Sequence, residues 1–130
     1  MTRIVSIAVV GMALLAGCGP SFIILEVDAL ASQSPRTSFS IPDEVDSIQI
    51  VTMDAKNPDA ELANQDWPLE DGQVFPLEIL LEPSDGTPSE LRQRVTARLN
   101  GVAKARNEVE HKWESHRTSR AQFDLFPLDP

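Results

Sequence analysis

Six segments of this chain alternate apolar and polar residues with a period of two, and this pattern limits the fold more than any other feature. The segments are 23–30, 45–53, 75–82, 91–99, 103–113 and 121–125. A period of two places successive side chains on opposite faces of a β-strand. Short strands separated by turn-forming residues are typical of small β-sandwiches, so the sequence predicts an all-β fold, a small antiparallel β-sandwich.

The segment 45–53 is apolar on both faces. Ile48, Ile50 and Thr52 share one face, whereas Val51 and Met53 lie on the other. A strand that buries both faces belongs in the middle of a sheet or beneath a second layer. We therefore expect either a central strand or a second covering layer here.

The segment 88–113 is compatible with two structures. Thr87-Pro88-Ser89-Glu90 has the composition of a helix N-terminus, and apolar residues then recur at spacings of three and four. Asn100-Gly101 would lie inside that helix, at a cost of about 1 kcal/mol or more. A β-hairpin that turns at Asn100-Gly101 is favoured, and an α+β fold with a helix over 88–113 is the alternative.

The hairpin requires a particular register to keep its apolar face continuous. A three-residue loop, Leu99-Asn100-Gly101, with Gly101 in the left-handed conformation, would keep the basic residues off that face. The register expected from such a loop pairs Ala97 with Ala103, Val95 with Ala105, and Leu91 with Val109.

The segment 54–71 is rich in acidic and turn-forming residues, and we expect a loop with at most a short strand around 61–65. Five oxygen-bearing side chains occur within 13 residues: Asp54, Asn57, Asp59, Glu61 and Asp66. Ca²⁺ takes six to eight oxygen ligands, so calcium-dependent recognition of a carbohydrate or protein through this loop is an alternative function. Trp67, between Asp66 and Pro68, is the candidate contact for a partner.

The N-terminus has the layout of a secretory signal. Arg3 precedes an apolar run from Ile4 to Leu14, which is shorter than the roughly 20 residues needed to span a bilayer. Leu15-Ala16-Gly17-Cys18 then forms a lipobox, the motif at which the cysteine of bacterial lipoproteins is lipidated and the chain is cut before it. We expect residues 1–17 to be a cleaved signal peptide, 18–21 a lipidated N-terminus and short tether, and 22–128 the β-sandwich domain.

The charge of the chain restricts its partners. The formal net charge is −9, and loss of residues 1–17 removes one basic residue, Arg3, which leaves about −10. An acidic surface argues against nucleic-acid binding and against electrostatic attraction to anionic lipid. The covalent lipid on Cys18 would therefore hold the protein at the membrane. The resemblance to Gram-negative lipoproteins implies the outer membrane, because Gly19 stands where those retained at the inner membrane carry an Asp.

No set of residues in the sequence predicts catalysis, and we expect neither an enzyme nor a cofactor. The two histidines, His111 and His116, have a spacing of five, which suits neither a helical nor a strand zinc pair. There is no Gly-x-Ser-x-Gly motif. Cys18 is the single cysteine, which leaves no intramolecular disulfide. Trp113 falls on an apolar face, which favours packing in the core.

The chain resembles a group of lipoproteins from myxobacterial-type Gram-negative bacteria. The segments that carry the resemblance follow the lipobox: 25–30, 45–52, 75–84, 95–105 with Asn100-Gly101, and Trp113 before Phe123-Asp124-Leu125. The resemblance implies one immunoglobulin-like or transthyretin-like sandwich in the cell envelope, with no assigned activity. We therefore expect a non-catalytic binding or structural module, with an envelope protein or glycan as partner. The oligomeric state stays open.

Overall fold

A computed structural model describes residues 4–8 by their backbone, and residues 21–84 and 86–128 with their side chains. These residues form nine strands. The strands are β1 (Ile4–Ala8), β2 (Phe22–Gln33), β3 (Arg36–Ser38), β4 (Ser47–Asp54), β5 (Asn57–Pro68), β6 (Leu77–Pro83), β7 (Glu90–Leu99), β8 (Val102–Lys112) and β9 (Thr118–Pro127). No helix occurs among the described residues, so none there is long and apolar enough to cross a membrane.

Within the sheet, neighbouring strands lie side by side in the order β1-β6-β2-β9-β8-β7-β4-β5. The short strand β3 is outside this order and pairs with β2. The two halves of the sheet meet where β8 and β9 share only two residue pairs, Ala105 with Pro127 and Arg106 with Phe126. All pairings are antiparallel except that of β2 with β9. The structure confirms the predicted all-β, sandwich-like fold. The parallel pair was not predicted.

One hydrophobic core joins the two halves of the sheet. Its buried members are Ile23, Leu25, Val27, Ala29, Val45, Ile48, Ile50, Ile79, Leu81, Leu91, Val95, Ala97, Ala105, Ala121, Phe123 and Leu125. Alternate residues of β2 and β9 enter this core, as the period-two pattern predicted. All of these residues follow Cys18 in the chain.

The hairpin predicted around Asn100-Gly101 is confirmed, and the helix over 88–113 is wrong. The predicted three-residue loop is also wrong. Leu99 pairs with Val102, and Asn100 and Gly101 both have positive φ, 51° and 81°, as in a type I′ turn. A register shift next to Ala97 then pairs Ala97 with Ala105. This bulge inserts one residue into β8, so Arg106 lies off the core face although the turn is tight.

The predicted acidic loop over 54–71 is wrong for most of its length, because residues 57–68 form β5. This strand pairs along β4, with Trp67 opposite Ile48 and Gln65 opposite Ile50. It alternates half-buried residues such as Gln65 and Trp67 with exposed Asn64 and Asp66. β4 is the central strand that its two apolar faces predicted, since it lies between β5 and β7. The turn-forming residues mark the ends of β5 and do not interrupt it.

Strand β1 lies within the segment predicted to be a signal peptide. In the whole chain it pairs antiparallel with β6, from Ile4 opposite Pro83 to Ala8 opposite Ile79. The β1–β6 pairing therefore belongs to the chain that still carries residues 1–17. Cleavage after Gly17 stays a prediction.

Candidate functional site

The two residues predicted to carry function have different outcomes. Cys18, the predicted lipidation site, lies outside the described residues. Trp67 lies on β5 and not in a loop, and its half-buried side chain packs against the hydrophobic core. Its indole nitrogen is buried without a hydrogen-bond partner. Trp67 is therefore a core-packing residue on an edge strand, which corrects its assignment to the 54–71 loop.

The acidic residues considered as calcium ligands are distributed along β4, its turn and β5. Asp54 is the last residue of β4, and its carboxylate accepts a hydrogen bond from the Lys56 backbone N–H at 2.9 Å. Asp59, Glu61 and Asp66 are exposed positions of β5. Among the described residues, no group of three or more histidine, cysteine, aspartate or glutamate side chains is arranged to hold a metal ion.

The structure brings three polar side chains together inside the core, and the sequence analysis did not identify them as a group. Thr52 of β4 and Gln93 of β7 are both fully buried. The Gln93 amide nitrogen donates to the Thr52 hydroxyl at 3.0 Å, and His111 Nε2 lies 2.5 Å from the Gln93 amide oxygen. We call Thr52, Gln93 and His111 the buried polar triad. With Nε2 protonated, His111 donates to Gln93.

Burial controls the protonation of His111. Removal of the ring from water lowers the pKa of His111 below its ordinary value, while the Lys112 backbone carbonyl acts in the opposite direction. The ring also meets Phe123 edge to face, with 6.3 Å between the ring centroids. The neutral imidazole is thus the form that the core accommodates.

The position of the buried polar triad could have been found in the sequence. Thr52 continues the core face of Ile48 and Ile50, and Gln93 lies between the core residues Leu91 and Val95. Each polar residue at an apolar position needs a partner, because an unpaired buried polar group costs about 1–3 kcal/mol. His111 was missed because the predicted hairpin register placed Val109 opposite Leu91, where the structure places His111.

The outer face of β7 and β8 carries a ladder of ion pairs. Arg92 pairs with Glu110 and Glu108, and Arg94 pairs with Glu108 at 3.1 Å. The hydrogen bonds that Arg92 donates to the Glu110 carboxylate raise the pKa of Arg92. Arg92, Arg94, Glu108 and Glu110 balance one another in this ladder. Arg98 and Arg106 of the same two strands instead donate hydrogen bonds to Gln49 and Thr96.

A second ion-pair cluster fixes the β2–β3 hairpin to β9. The Arg36 guanidinium donates to the Asp28 and Asp124 carboxylates, both at 3.0 Å. Hydrogen bonds to Asp124 and Asp28 raise the pKa of Arg36. Ser38 donates to the other oxygen of Asp28 at 2.6 Å. The cluster consists of satisfied, partly exposed pairs, and its contribution is structural.

Trp113 packs against the core, as predicted. Its indole N–H donates to the Pro88 carbonyl at 2.6 Å, and its backbone N–H donates to the Ser89 carbonyl at 3.0 Å. Trp113 thus joins the end of β8 to the segment that precedes β7.

Comparison of the chain with protein-family models, with curated proteins and with solved structures gave no match.

Proposed function

We propose that the chain is a lipid-anchored, non-catalytic binding or structural module of the cell envelope. In this proposal residues 1–17 are removed and Cys18 carries the lipid. The supporting observation is the position of the core: its buried residues run from Ile23 to Leu125, all after the lipobox. Cleavage before Cys18 would therefore keep all of these buried residues in the chain.

The distance between anchor and domain supports a location close to the bilayer. β2 begins at Phe22, four residues after Cys18, so even a fully extended connection spans only about 14 Å. The domain would be held against the membrane surface. Its net charge of about −10 without Arg3 would not itself attract it to anionic lipid. Anchoring in this proposal depends on the lipid alone.

A binding role is preferred to catalysis because the polar group in the core is closed to solvent. Thr52 and Gln93 are fully buried, and their amide and hydroxyl are used in bonds within the triad. A general acid or base must reach its substrate within hydrogen-bond distance. We also propose that the domain is related to the immunoglobulin-like or transthyretin-like lipoproteins that it resembles, which is consistent with its all-β fold.

Membrane fractionation of a Gram-negative host that expresses the full chain tests the proposal. We expect the protein in the membrane pellet after a high-salt wash, and Cys18→Ala in the soluble fraction. Gly19→Asp is the matched control: it should stay membrane-bound but move from the outer to the inner membrane. A Cys18→Ala variant that sediments like the unmodified sequence would contradict lipid anchoring.

A further inference from the structure

Strand β6 is flanked on both sides in the whole chain. It pairs with β2 on one side, from Leu81 opposite Ile23 to Leu77 opposite Val27. On the other side it pairs with β1, which places five residues, Ile4–Ala8, along Ile79–Pro83. β1 is the terminal strand of this half of the sheet.

Removal of residues 1–17 would expose the edge of β6. The core cluster formed by the described side chains lies wholly after Cys18, so its residues would stay in the chain while one row of backbone N–H and C=O groups on β6 loses its partners. We propose that this edge of the mature protein binds an extended apolar segment of another polypeptide, added antiparallel in the position of β1. The inference rests on the proposed removal of residues 1–17.

The residues of β6, and those of β1 that pair with it, indicate what kind of segment a partner would contribute. The centre of β6 is Ile79-Leu80-Leu81, with exposed fractions of 3, 8 and 0%. The segment seated on it, Ile-Val-Ser-Ile-Ala, has no charge and no proline, and three of its five residues are β-branched. In strand addition, main-chain hydrogen bonds supply affinity and alternate side chains supply specificity. The partner is thus an uncharged strand of about five residues with high β-propensity.

A second copy of this chain is a poor occupant. Symmetric antiparallel pairing over the whole of β6 would centre on Leu80 and place Glu78 of each copy opposite Glu82 of the other. Like charges directly opposite each other destabilise a strand pair. Both copies would also carry a net charge of about −10. The favoured occupant therefore belongs to a different protein.

The opposite edge of the sheet has features that oppose strand addition. β5 carries the exposed residues Pro58, Asp59 and Glu61, and its pairing with β4 is interrupted by register shifts near Met53. Prolines, charges and bulges are the usual protection of an edge strand. β6 has no such feature between Glu78 and Glu82.

Peptide binding tests the inference. The probe is a fluorescent peptide that contains Ile4–Ala8, titrated into residues 19–130, which retain all the core residues named above. Two control peptides carry N-methyl groups, one at residues 4, 6 and 8 and the other at Val5 and Ile7. Alternate N–H groups of a strand point to opposite sides, so one control should bind like the parent and the other at least tenfold more weakly.

The full chain provides the competition control. With β1 attached, the edge is occupied at high effective concentration, so the peptide should bind at least tenfold more weakly than to residues 19–130. Ile7→Pro in the full chain should restore binding, because proline disrupts the ladder of β1. No binding to residues 19–130, or equal binding by both methylated peptides, overturns the inference and leaves lipid anchoring untouched. Retention of residues 1–17 on the cellular protein overturns both proposals.

Discussion

At the scale of single residues, the core contains a histidine whose pKa is lowered by burial. Burial lowers the pKa of His111, so the folded state resists its protonation. Above about pH 6.5, the ordinary value for histidine, neither the folded nor the unfolded chain binds this proton. Below that pH the unfolded chain binds it first, and the free energy of unfolding falls until the pH reaches the lowered folded pKa.

We therefore expect His111→Gln to lose less stability than the unmodified sequence between pH 7.5 and 5.5. Urea unfolding at the two pH values measures this difference. The unmodified protein, measured in parallel at both pH values, is the reference. Equal pH dependence in the His111 variant and the unmodified protein would contradict the assignment.

The two tryptophans differ in the hydrogen bonding of their indole nitrogens. Trp113→Phe removes the donor to the Pro88 carbonyl, whereas Trp67→Phe removes a buried N–H that has no partner. A hydrogen bond contributes about 1 kcal/mol net, and an unpaired buried donor is itself unfavourable. Trp113→Phe should therefore be the more destabilising substitution, by about 1 kcal/mol or more, in chemical denaturation. An equal or larger loss for Trp67→Phe would contradict this account.

At the scale of elements, the β7–β8 turn depends on backbone conformation and not on space. Gly101 has φ +81°, and a Cβ added there would meet nothing within 4 Å. Gly101→Ala should cost about 1 kcal/mol because the left-handed conformation is unfavourable for alanine. Asn100→Gly, in the same turn at φ 51°, should be close to neutral in thermal unfolding. Equal effects of the two substitutions would exclude this explanation.

Strands could be predicted from the sequence where the period-two pattern of apolar residues is clear. The prediction failed where turn-forming residues occur within a strand. β2, β4 and β9 follow from alternation alone. β5 was predicted only as a possible short strand around 61–65, because Asn57, Pro58 and Pro68 are turn-forming residues and its half-buried face carries Gln65. The hairpin was found through Asn100-Gly101, but its bulge at Lys104 was not, since a one-residue insertion leaves no mark in composition.

The contacts that join distant strands were the least predictable. The parallel pairing of β2 with β9 joins segments nearly 100 residues apart, from Phe22 opposite Thr118 to Ala29 opposite Leu125. Neither segment carries a local signal for its neighbour. The buried polar triad depends on the same long-range arrangement, because it requires β4, β7 and β8 in adjacent positions.

At the scale of the whole molecule, the chain divides at Cys18 into parts with different proposed fates. The part after Cys18 holds the core residues that the structure describes, and the part before it contributes β1, a strand at the edge of the sheet. We propose that residues 18–130 are held at the membrane by a covalent lipid on Cys18. The edge of β6 becomes available only once residues 1–17 are removed.

The mass of the intact protein extracted from the membranes of a Gram-negative host tests this division most directly. We predict a chain that begins at residue 18, with the mass of the acyl groups added at Cys18 and residues 1–17 absent. Fragmentation should place the whole added mass on the N-terminal cysteine. A protein that retains Met1–Gly17, or that begins at an unmodified Cys18, would contradict the account.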